Sequence, residues 1–492
     1  MMTTCVLLAA VLLGEGTCGV YSPDGDSIAL QRVVGGKSRV GVLKRGRGRD
    51  GARPSRDCDT FVWIELEGGN AAYPAWSPKG DAIVYAYGNE TNTAWAAKGG
   101  DTGYHLRIWR QGGGIREITT GRFRDYMPSF SRDGNKVLFV STRCASPEVF
   151  LATRSGVYSV DADGGGLVCL VPSRVNDEGM GQPVVSPDGE LLAFAQTSGF
   201  RSSWRIMCAW LSKPETVCAV SPERQSAYAP RWTPDGRHIV YTGFSKGDPG
   251  WCVYVLNPRT GGVRRICEGR NPDVHPSGKL LLYDDGMRLY ERPFGVDDLP
   301  GEGDVASDEK SRLYDEPERL IWRSEKPAYP ATMPMTDAFN FGKERTFFVR
   351  AKVRYTPAAN PRFRHFLTGE YVGAKLGFEL FIDHGRPKFG ARDGDGLYMG
   401  AVSDIVLAPG QEYVLTGIRT ANALFIHVEG EALREMKFSS TYSLDRPVRL
   451  EVGPTIGGKG DILLGEIGTG WPANVPHPIT RTKFFAGEGA KR

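Results

Sequence analysis

A short turn pattern that recurs along the first part of the chain constrains the fold more than any other feature. A small or aromatic residue precedes Ser/Thr-Pro-Asp-Gly, and an apolar run follows it. From Ser22 the copies follow at intervals of 55, 54, 55, 47 and 42 residues. This period fits one four-stranded blade of a β-propeller. The six copies start at Ser22, Ser77, Ser131, Ser186, Thr233 and His275.

Each part of the pattern has a physical role in a tight turn. Pro fixes φ at the second turn position, Asp can accept hydrogen bonds from nearby backbone, and Gly supplies a positive φ. The apolar runs that follow suit strands buried on both faces between blades. These runs are Ile83–Tyr85, Val137–Phe139, Leu191–Phe194, Ile239–Tyr241 and Leu280–Tyr283. The sequence therefore predicts an all-β protein with about six propeller blades.

The repeats resemble the TolB-like β-propeller family, whose repeats are also called WD-type PD repeats. The resemblance covers residues 18–300 and rests on all six copies of the turn. Some positions depart from the pattern. Lys79 replaces Asp, Arg132 replaces Pro, and His275 and Ser277 alter the last copy. The resemblance implies a scaffold for envelope protein interactions.

A second domain follows the repeats. Residues 301–327 are charged and are predicted to be a linker. Strands that alternate polar and apolar residues then predict a sandwich over residues 328–472. Their order resembles the laminin-G-like, concanavalin-type jelly-roll family. The segments that carry this resemblance are Phe348–Val353, Phe378–Phe389, Tyr413–Arg419 and Ala423–Gly430. Residues 473–492 are predicted to be a polar tail.

The N-terminus has an apolar run of signal-peptide length followed by small residues. Residues 1–17 are therefore predicted to be a signal peptide, although no Lys or Arg precedes the run. A strand of the first blade is the alternative. Export implies a periplasmic, cell-surface or secreted location.

The nine cysteines fit this interpretation. Without Cys5, eight remain, and they fall two per repeat. In an exported chain such even spacing suggests disulfide bonds, and buried thiols are the alternative. None has CxxC spacing, which disfavours zinc. The predicted pairs are Cys18 with Cys58, Cys144 with Cys169, Cys208 with Cys218, and Cys252 with Cys267.

Charge and hydropathy exclude some partners. The 61 basic and 57 acidic residues leave a net charge of +4, so a nucleic-acid partner is not expected. No apolar run is long enough for a helical membrane span.

The sandwich resemblance implies glycan binding, in some members through calcium. Four aromatic residues are candidate sugar platforms, with core packing as the alternative: Tyr371, Phe389, Tyr398 and Trp471. Asp393 and Asp395 are the candidate calcium ligands. They supply two carboxylates where calcium needs six to eight oxygens, so a solvated turn is the alternative and no cofactor is expected.

Enzymatic alternatives receive less support. The paired acids of sandwich glycosidases and the Gly-x-Ser-x-Gly pentapeptide of propeller-fronted peptidases are absent from the relevant segments. The TolB-like resemblance also extends to oligogalacturonate lyases, for which His105, His238 and His275 would be the propeller histidines. The sequence favours a binding protein over an enzyme. Its partner is a polysaccharide or glycoconjugate, with an envelope protein as the alternative.

Overall fold

The computed structural model describes residues 10–485 with gaps at 46–59, 66–67, 89–103, 122, 145–154, 174–178, 198–203, 223–224, 302–317, 326–330, 334–345, 356–363, 372–377, 384, 393–397, 421–422, 432, 438–447, 453–460, 470 and 476–483. The chain forms two compact units. One comprises Met1–Ala306 with Arg481–Arg492, and the other comprises Ser307–Thr480. Each unit is described separately.

The first unit is a six-bladed β-propeller, as predicted. Every blade is a four-stranded antiparallel sheet. From the inner strand outwards, the first five blades are β2–β5 (Thr17–Tyr21, Ser27–Val34, Lys37–Lys44, Thr60–Trp63), β6–β9 (Asn70–Trp76, Ala82–Gly88, His105–Arg110, Gly114–Glu117), β10–β13 (Asp125–Phe130, Lys136–Ser141, Gly156–Asp161, Val168–Val171), β14–β17 (Gly179–Val185, Leu191–Thr197, Arg205–Trp210, Lys213–Ala219) and β18–β21 (Gln225–Trp232, Ile239–Ser245, Cys252–Leu256, Val263–Glu268).

The sixth blade is completed by a strand from the N-terminus. Its inner three strands are β22–β24 (Arg270–Val274, Leu280–Asp284, Arg288–Pro293), and its outer strand is β1 (Val11–Glu15). β1 pairs antiparallel with β24. The segment predicted as a signal peptide therefore contains a strand of the propeller, and cleavage after residue 17 would remove it.

The Ser-Pro-Asp-Gly turns have the predicted geometry. In the fourth blade, the Gly189 amide donates to the Ser186 carbonyl at 2.8 Å, and Gly189 has a φ of +83°. Asp188 accepts from the amide of Glu190 at 3.0 Å, and the Ser186 hydroxyl accepts from the amide of Leu191 at 2.9 Å. The side chains thus hold the turn and start the second strand.

The turns of neighbouring blades also pack against one another. A Cβ added to Gly80 would lie 3.6 Å from Pro23 of the preceding turn, and one added to Gly236 would lie 3.5 Å from Pro187. Arg132, which replaces Pro, keeps this packing against Gly189 and donates to the Asp188 carbonyl at 2.7 Å. This departure from the repeat therefore preserves the contact between blades.

The second strand of each blade forms the core. Ile28, Ile83, Leu192, Ile239 and Leu281 are each 0% exposed. These side chains pack between adjacent sheets, as the continuous apolar runs predicted. This burial explains why these segments carry no alternating polar residues.

The second unit contains two six-stranded antiparallel sheets. The first has the order β25 (Arg319–Glu325), β36 (Asp461–Thr469), β27 (Phe347–Arg354), β32 (Glu412–Arg419), β33 (Ala423–Val428) and β34 (Arg434–Lys437). The second has the order β26 (Ala331–Met333), β35 (Val448–Val452), β28 (Arg364–Tyr371), β29 (Phe378–Asp383), β30 (Arg386–Arg392) and β31 (Tyr398–Val402).

This unit begins earlier than predicted. β25 lies inside the predicted linker and pairs with β36. Glu318, which precedes it, accepts two hydrogen bonds of 3.1 Å from Arg350. The end of the predicted linker is thus the first strand of the sandwich.

Aromatic side chains fill the space between the two sheets. Phe347 lies 5.3 Å from Phe378 and 6.4 Å from Phe389 between ring centroids. A Cβ added to Gly417 would lie 2.1 Å from Phe389, so only glycine fits opposite this ring. The sheets therefore share one aromatic core.

The predicted disulfide bonds are not observed among the cysteines of the described part of the chain. Cys208 and Cys218, one of the predicted pairs, lie directly opposite each other on two paired antiparallel strands. Cys252 and Cys267 do not, because Cys252 pairs with Glu268 in the register. The two side chains enter different core clusters, which excludes a bond between them without backbone movement. Cys58 and the Cys144 side chain lie outside the described residues.

The predicted polar tail contains an aromatic anchor. Phe484 is 4% exposed and packs in the propeller core cluster around Trp210. The prediction of an entirely polar tail was therefore wrong at this position.

Candidate functional site

Six residues with positive φ surround the propeller channel, one on the inner strand of each blade. Each lies four residues before the turn that starts with Ser, Thr or His. The residues and their φ angles are Cys18 (52°), Tyr73 (56°), Met127 (53°), Gln182 (46°), Ala229 (54°) and Asn271 (49°). All six line the same cavity. The repeat thus places one left-handed residue per blade around the axis.

The local sequence explains this ring. In five blades the left-handed residue precedes a proline, as in Tyr73-Pro74 and Asn271-Pro272, whereas Cys18 precedes Gly19. Each inner strand has a bulge at this point, for example between Ala72 and Ala75. The inner strand is an edge strand, and proline with a bulge prevents it from pairing with another strand. The channel wall is therefore protected from strand addition.

Side-chain oxygens accept hydrogen bonds from the backbone amides of three of these six residues with positive φ. The Tyr73 amide donates to Gln31 at 3.1 Å, the Asn271 amide to Thr242 at 2.8 Å, and the Cys18 amide to Asp284 at 2.9 Å. Each acceptor lies at the same position of the second strand in the preceding blade. The equivalent residues of the other three blades are Ala86, Val140 and Ala195. At this position of the second strand, polar side chains thus occur in three successive blades and apolar side chains in the other three.

Asp284 is the most connected of these acceptors. It is 0% exposed and also accepts hydrogen bonds from the Asn271 side chain and the Gly286 amide, both at 3.0 Å. Burial raises the pKa of Asp284. Burial and the neighbouring Asp284 raise the pKa of the Cys18 thiol to about 12, so this thiol stays protonated.

A second carboxylate joins the sixth blade to the first. Asp273 accepts from the Tyr21 amide at 2.8 Å. Burial raises the pKa of Asp273 to about 6, against the opposing effect of nearby Arg231. Arg231 also lines the channel cavity. Charge is thus concentrated where the last blade meets the first.

The cavity inside the ring is small. Its volume is about 20 Å³, which holds roughly one or two waters. Sites for small molecules usually have volumes of about 300–1,000 Å³. A partner would therefore contact the mouth of the channel rather than fill its interior.

An aromatic and cationic patch lies beside this mouth, at the end of the blades opposite the Ser-Pro-Asp-Gly turns. The mouth patch consists of Tyr228, Phe244, Trp251 and Arg270. Trp251 lies 5.0 Å from Tyr228 and 5.6 Å from Phe244 between ring centroids, and Arg270 lies 5.8 Å from the Trp251 ring. Phe244 is 42% exposed. Tyr228 lies near Cys18 and Asp284, which connects the patch to the channel.

The predicted sugar platforms are not confirmed as surface residues. Phe389 is 0% exposed, and Trp471 is 3% exposed with its indole NH donating to the Val475 carbonyl at 3.0 Å. Their predicted role was wrong, because a buried ring cannot stack on a sugar. Tyr371 and Tyr398 are strand residues whose side chains lie outside the described part. Asp393 and Asp395 also lie outside it.

The propeller histidines do not form a metal site in the part of the chain that the structure describes. Within it, no group of three or more His, Cys, Asp or Glu side chains is placed to hold a metal ion. His238 is 9% exposed, and His275 lies in a turn where it contacts Ser277 at 2.8 Å. His105 lies on β8 in the second blade.

The channel ring and the mouth patch were not predicted from the sequence. One signal for the ring was present, since proline occurs three residues before the turn in five of six repeats. The mouth patch had no such signal. Its four residues come from separate positions in the fifth and sixth blades, and only the folded propeller brings them together.

Comparison with known proteins supports homology of the propeller to TolB. No protein-family model matches the chain. Curated relatives named Tol-Pal system protein TolB, from Francisella tularensis subspecies mediasiatica and tularensis, are each 26% identical over 216 residues, or 43% of this chain. The match covers 45% and 44% of these relatives, so the chain spans less than half of their length.

Three solved structures to which the chain is similar have TM-scores below 0.5. TolB from Acinetobacter baumannii has a TM-score of 0.35 at 13% identity, covering 58% of this chain and 54% of that one. An oligogalacturonate lyase in complex with manganese has a TM-score of 0.38 at 15% identity, covering 56% and 88%. Trypanosoma rangeli sialidase has a TM-score of 0.39 at 11% identity, covering 96% and 93%.

Among the described residues, no helix is long and apolar enough to cross a membrane.

Proposed function

We propose that this protein is an envelope protein-interaction scaffold whose propeller contacts a partner protein through the mouth patch. The observation that carries the proposal is the patch itself, next to a channel too small for a substrate. Trp, Tyr and Arg are the residues that dominate binding energy at protein interfaces. A closed ring of six blades holds Tyr228, Trp251 and Arg270 rigidly, which lowers the entropic cost of association.

The similarity to TolB supports the same class of function. Those relatives are named as proteins of the Tol-Pal system, and a system of several proteins requires contacts between its members. Fold alone does not determine function, so the similarity adds to the surface chemistry and does not replace it. We propose a periplasmic location on the same basis.

We further propose that the second unit is a module of the laminin-G or concanavalin type. Two six-stranded antiparallel sheets with one aromatic core support this assignment. A polysaccharide or glycoconjugate partner would bind through this unit. It is the weaker alternative, because Phe389 and Trp471 are used for packing.

Affinity purification of the full chain from the source organism tests the protein-scaffold proposal. Chemical cross-linking, followed by mass spectrometry, would compare wild type with Trp251→Ala and with Val296→Ser. Val296 is 79% exposed and follows β24 at the opposite end of the blades, so it is the matched control. We expect a specific protein to be retained by wild type and Val296→Ser and reduced at least tenfold by Trp251→Ala.

Equal retention by the Trp251→Ala variant would contradict the mouth patch as the interface. Binding of the full chain to a glycan array, unchanged by Trp251→Ala, would instead support the second unit as the binding module.

A further inference from the structure

An aromatic groove on the propeller holds two adjacent phenylalanines from the end of the chain. Phe484 stacks on Trp210 at 5.7 Å between ring centroids, with an interplanar angle of 29°. Phe485 meets the same indole edge-on at 6.5 Å and lies 4.9 Å from Phe484. The three rings have the offset and T-shaped arrangements that aromatic groups prefer.

Both neighbouring blades contribute to this groove. Trp210 ends the third strand of the fourth blade, and Arg259 lies in the turn after the third strand of the fifth blade. The Arg259 guanidinium carbon lies 5.1 Å from the Phe485 ring centroid, within cation–π range. Val263 also packs against this cluster. The groove therefore binds the Phe484 ring by stacking on Trp210 and the Phe485 ring by a cation–π contact with Arg259.

Comparison among the blades shows that the fold does not require Trp210. In the register of the second and third strands, Trp210 pairs with Leu191. The equivalent residues of the other blades are Lys44, Arg110, Asp161, Pro293 and, next to the Ile239–Leu256 pair in the fifth blade, Asn257. None of them is aromatic. The fourth blade alone has a stacking surface at this position.

The segment that occupies the groove also differs from its surroundings in sequence. Phe484 and Phe485 are adjacent in an otherwise polar and small-residue stretch, Arg481–Arg492, which is grouped with the propeller although residues 307–480 form the second unit. The Trp210 indole nitrogen is buried, and the described residues provide it with no hydrogen-bond acceptor. The contact therefore depends on the aromatic rings.

We propose that the Trp210–Arg259 groove is a binding site for a diaromatic peptide segment, with the chain's own Phe484 and Phe485 as its resident ligand. Because the recognition elements are two side chains on a short segment, the same sequence supplied as a separate peptide binds the emptied groove. This inference does not depend on the mouth patch, which lies at the other end of the blades.

The test uses the full chain with Phe484→Ala and Phe485→Ala, and a fluorescent peptide of residues 481–492. We expect saturable one-to-one binding in anisotropy. A control peptide with alanine at both phenylalanine positions binds at least tenfold more weakly. The wild-type chain also binds the phenylalanine peptide at least tenfold more weakly, because its own tail occupies the groove.

Two further substitutions locate the site. Trp210→Ala in the double-alanine background reduces affinity at least tenfold. Arg259→Ala, at an exposed position, reduces it about two- to fivefold, as expected for one exposed cation–π contact. If Trp210→Ala does not fold, Arg259→Ala still provides the test. A folded double-alanine chain that binds both peptides equally, or binds neither, would overturn the proposal.

Discussion

Replacing Asp284 is expected to open the seam between the sixth blade and the first. This carboxylate accepts from the Cys18 amide of the first blade, and from the Asn271 side chain and the Gly286 amide of its own blade. Asp284→Ala leaves all three donors without this acceptor. An orphaned buried donor costs about 1–3 kcal/mol. Removing a buried charge offsets part of this loss, so we expect a net destabilisation of about 2–4 kcal/mol.

Two other variants provide reference values for this loss in the free energy of unfolding. Asp284→Asn keeps an oxygen for Cys18 and Asn271 but turns an NH₂ group toward the Gly286 amide, so we expect a loss of about 1 kcal/mol. Thr242→Val removes the acceptor of the Asn271 amide without a change of shape, at the equivalent position one blade earlier. For this single neutral acceptor we expect about 1–2 kcal/mol.

Calorimetry of the full chain, with the propeller transition resolved from that of the second unit, measures these effects. At roughly 2–4 °C per kcal/mol, a loss of about 2–4 kcal/mol in Asp284→Ala lowers Tm by about 4–16 °C. Urea unfolding should show a lower midpoint with an unchanged slope. A Tm for Asp284→Ala equal to that of wild type, or above that of Thr242→Val, would refute the role of Asp284 at the seam.

Three further outcomes are expected from other parts of the structure. The pKa of Asp273 is raised to about 6 in the folded state, so the folded protein binds this proton more tightly than the unfolded chain does. The free energy of unfolding therefore falls as pH rises from about 4 to 6, and Asp273→Asn should remove about 1–3 kcal/mol of that fall in unfolding titrations. An unchanged pH profile in this variant would contradict the raised pKa. Gly417→Ala places a Cβ 2.1 Å from Phe389 and should lower the Tm of the second unit by the equivalent of about 1–3 kcal/mol, and an unchanged Tm would contradict the close packing of Phe389 on Gly417. In oxidising glutathione buffer, Cys208 and Cys218 should form a disulfide because they lie directly opposite each other, whereas Cys252 and Cys267 should remain thiols that an alkylating reagent modifies. Mass spectrometry of the alkylated peptides measures this. A disulfide between Cys252 and Cys267, with Cys208 and Cys218 alkylated, would contradict the prediction.

The sequence was sufficient to predict the propeller because its turns are determined locally. Pro, Asp and Gly at fixed positions impose one turn geometry in each repeat, and the apolar run after the turn identifies the buried second strand. These signals act within ten residues. The packing of Gly80 on Pro23 follows from repetition of the same turn in the next blade.

The N-terminal strand was only the alternative to a signal peptide, and was assigned to the first blade instead of the sixth, because an apolar run at the start of a chain fits both a signal peptide and a strand. A clearer signal was present in the repeats. Glu15-Gly16 ends β1 as Glu268-Gly269 ends β21, and both glycines have a φ of +142°. Both lead directly into the inner strand of the next blade. This correspondence identifies Val11–Glu15 as the outer strand of a blade.

The candidate sites could not be predicted because they depend on tertiary contacts. Left-handed backbone at Cys18 or Ala229 arises from a bulge in the channel wall, which neither residue type signals by itself. Likewise, an aromatic residue on an alternating strand can point to either face. Phe389 points into the core opposite Gly417, and only the register of the two sheets determines this.

Site-specific photo-cross-linking in living cells tests the proposed interface most directly. A benzoyl-phenylalanine placed at Phe244 reports on the mouth patch, and one placed at Val296 reports on the opposite end of the blades. We expect a discrete cross-linked protein from position 244 and none from position 296. A cross-link from position 296 alone, with none from position 244, would contradict the mouth patch as the surface that binds a partner.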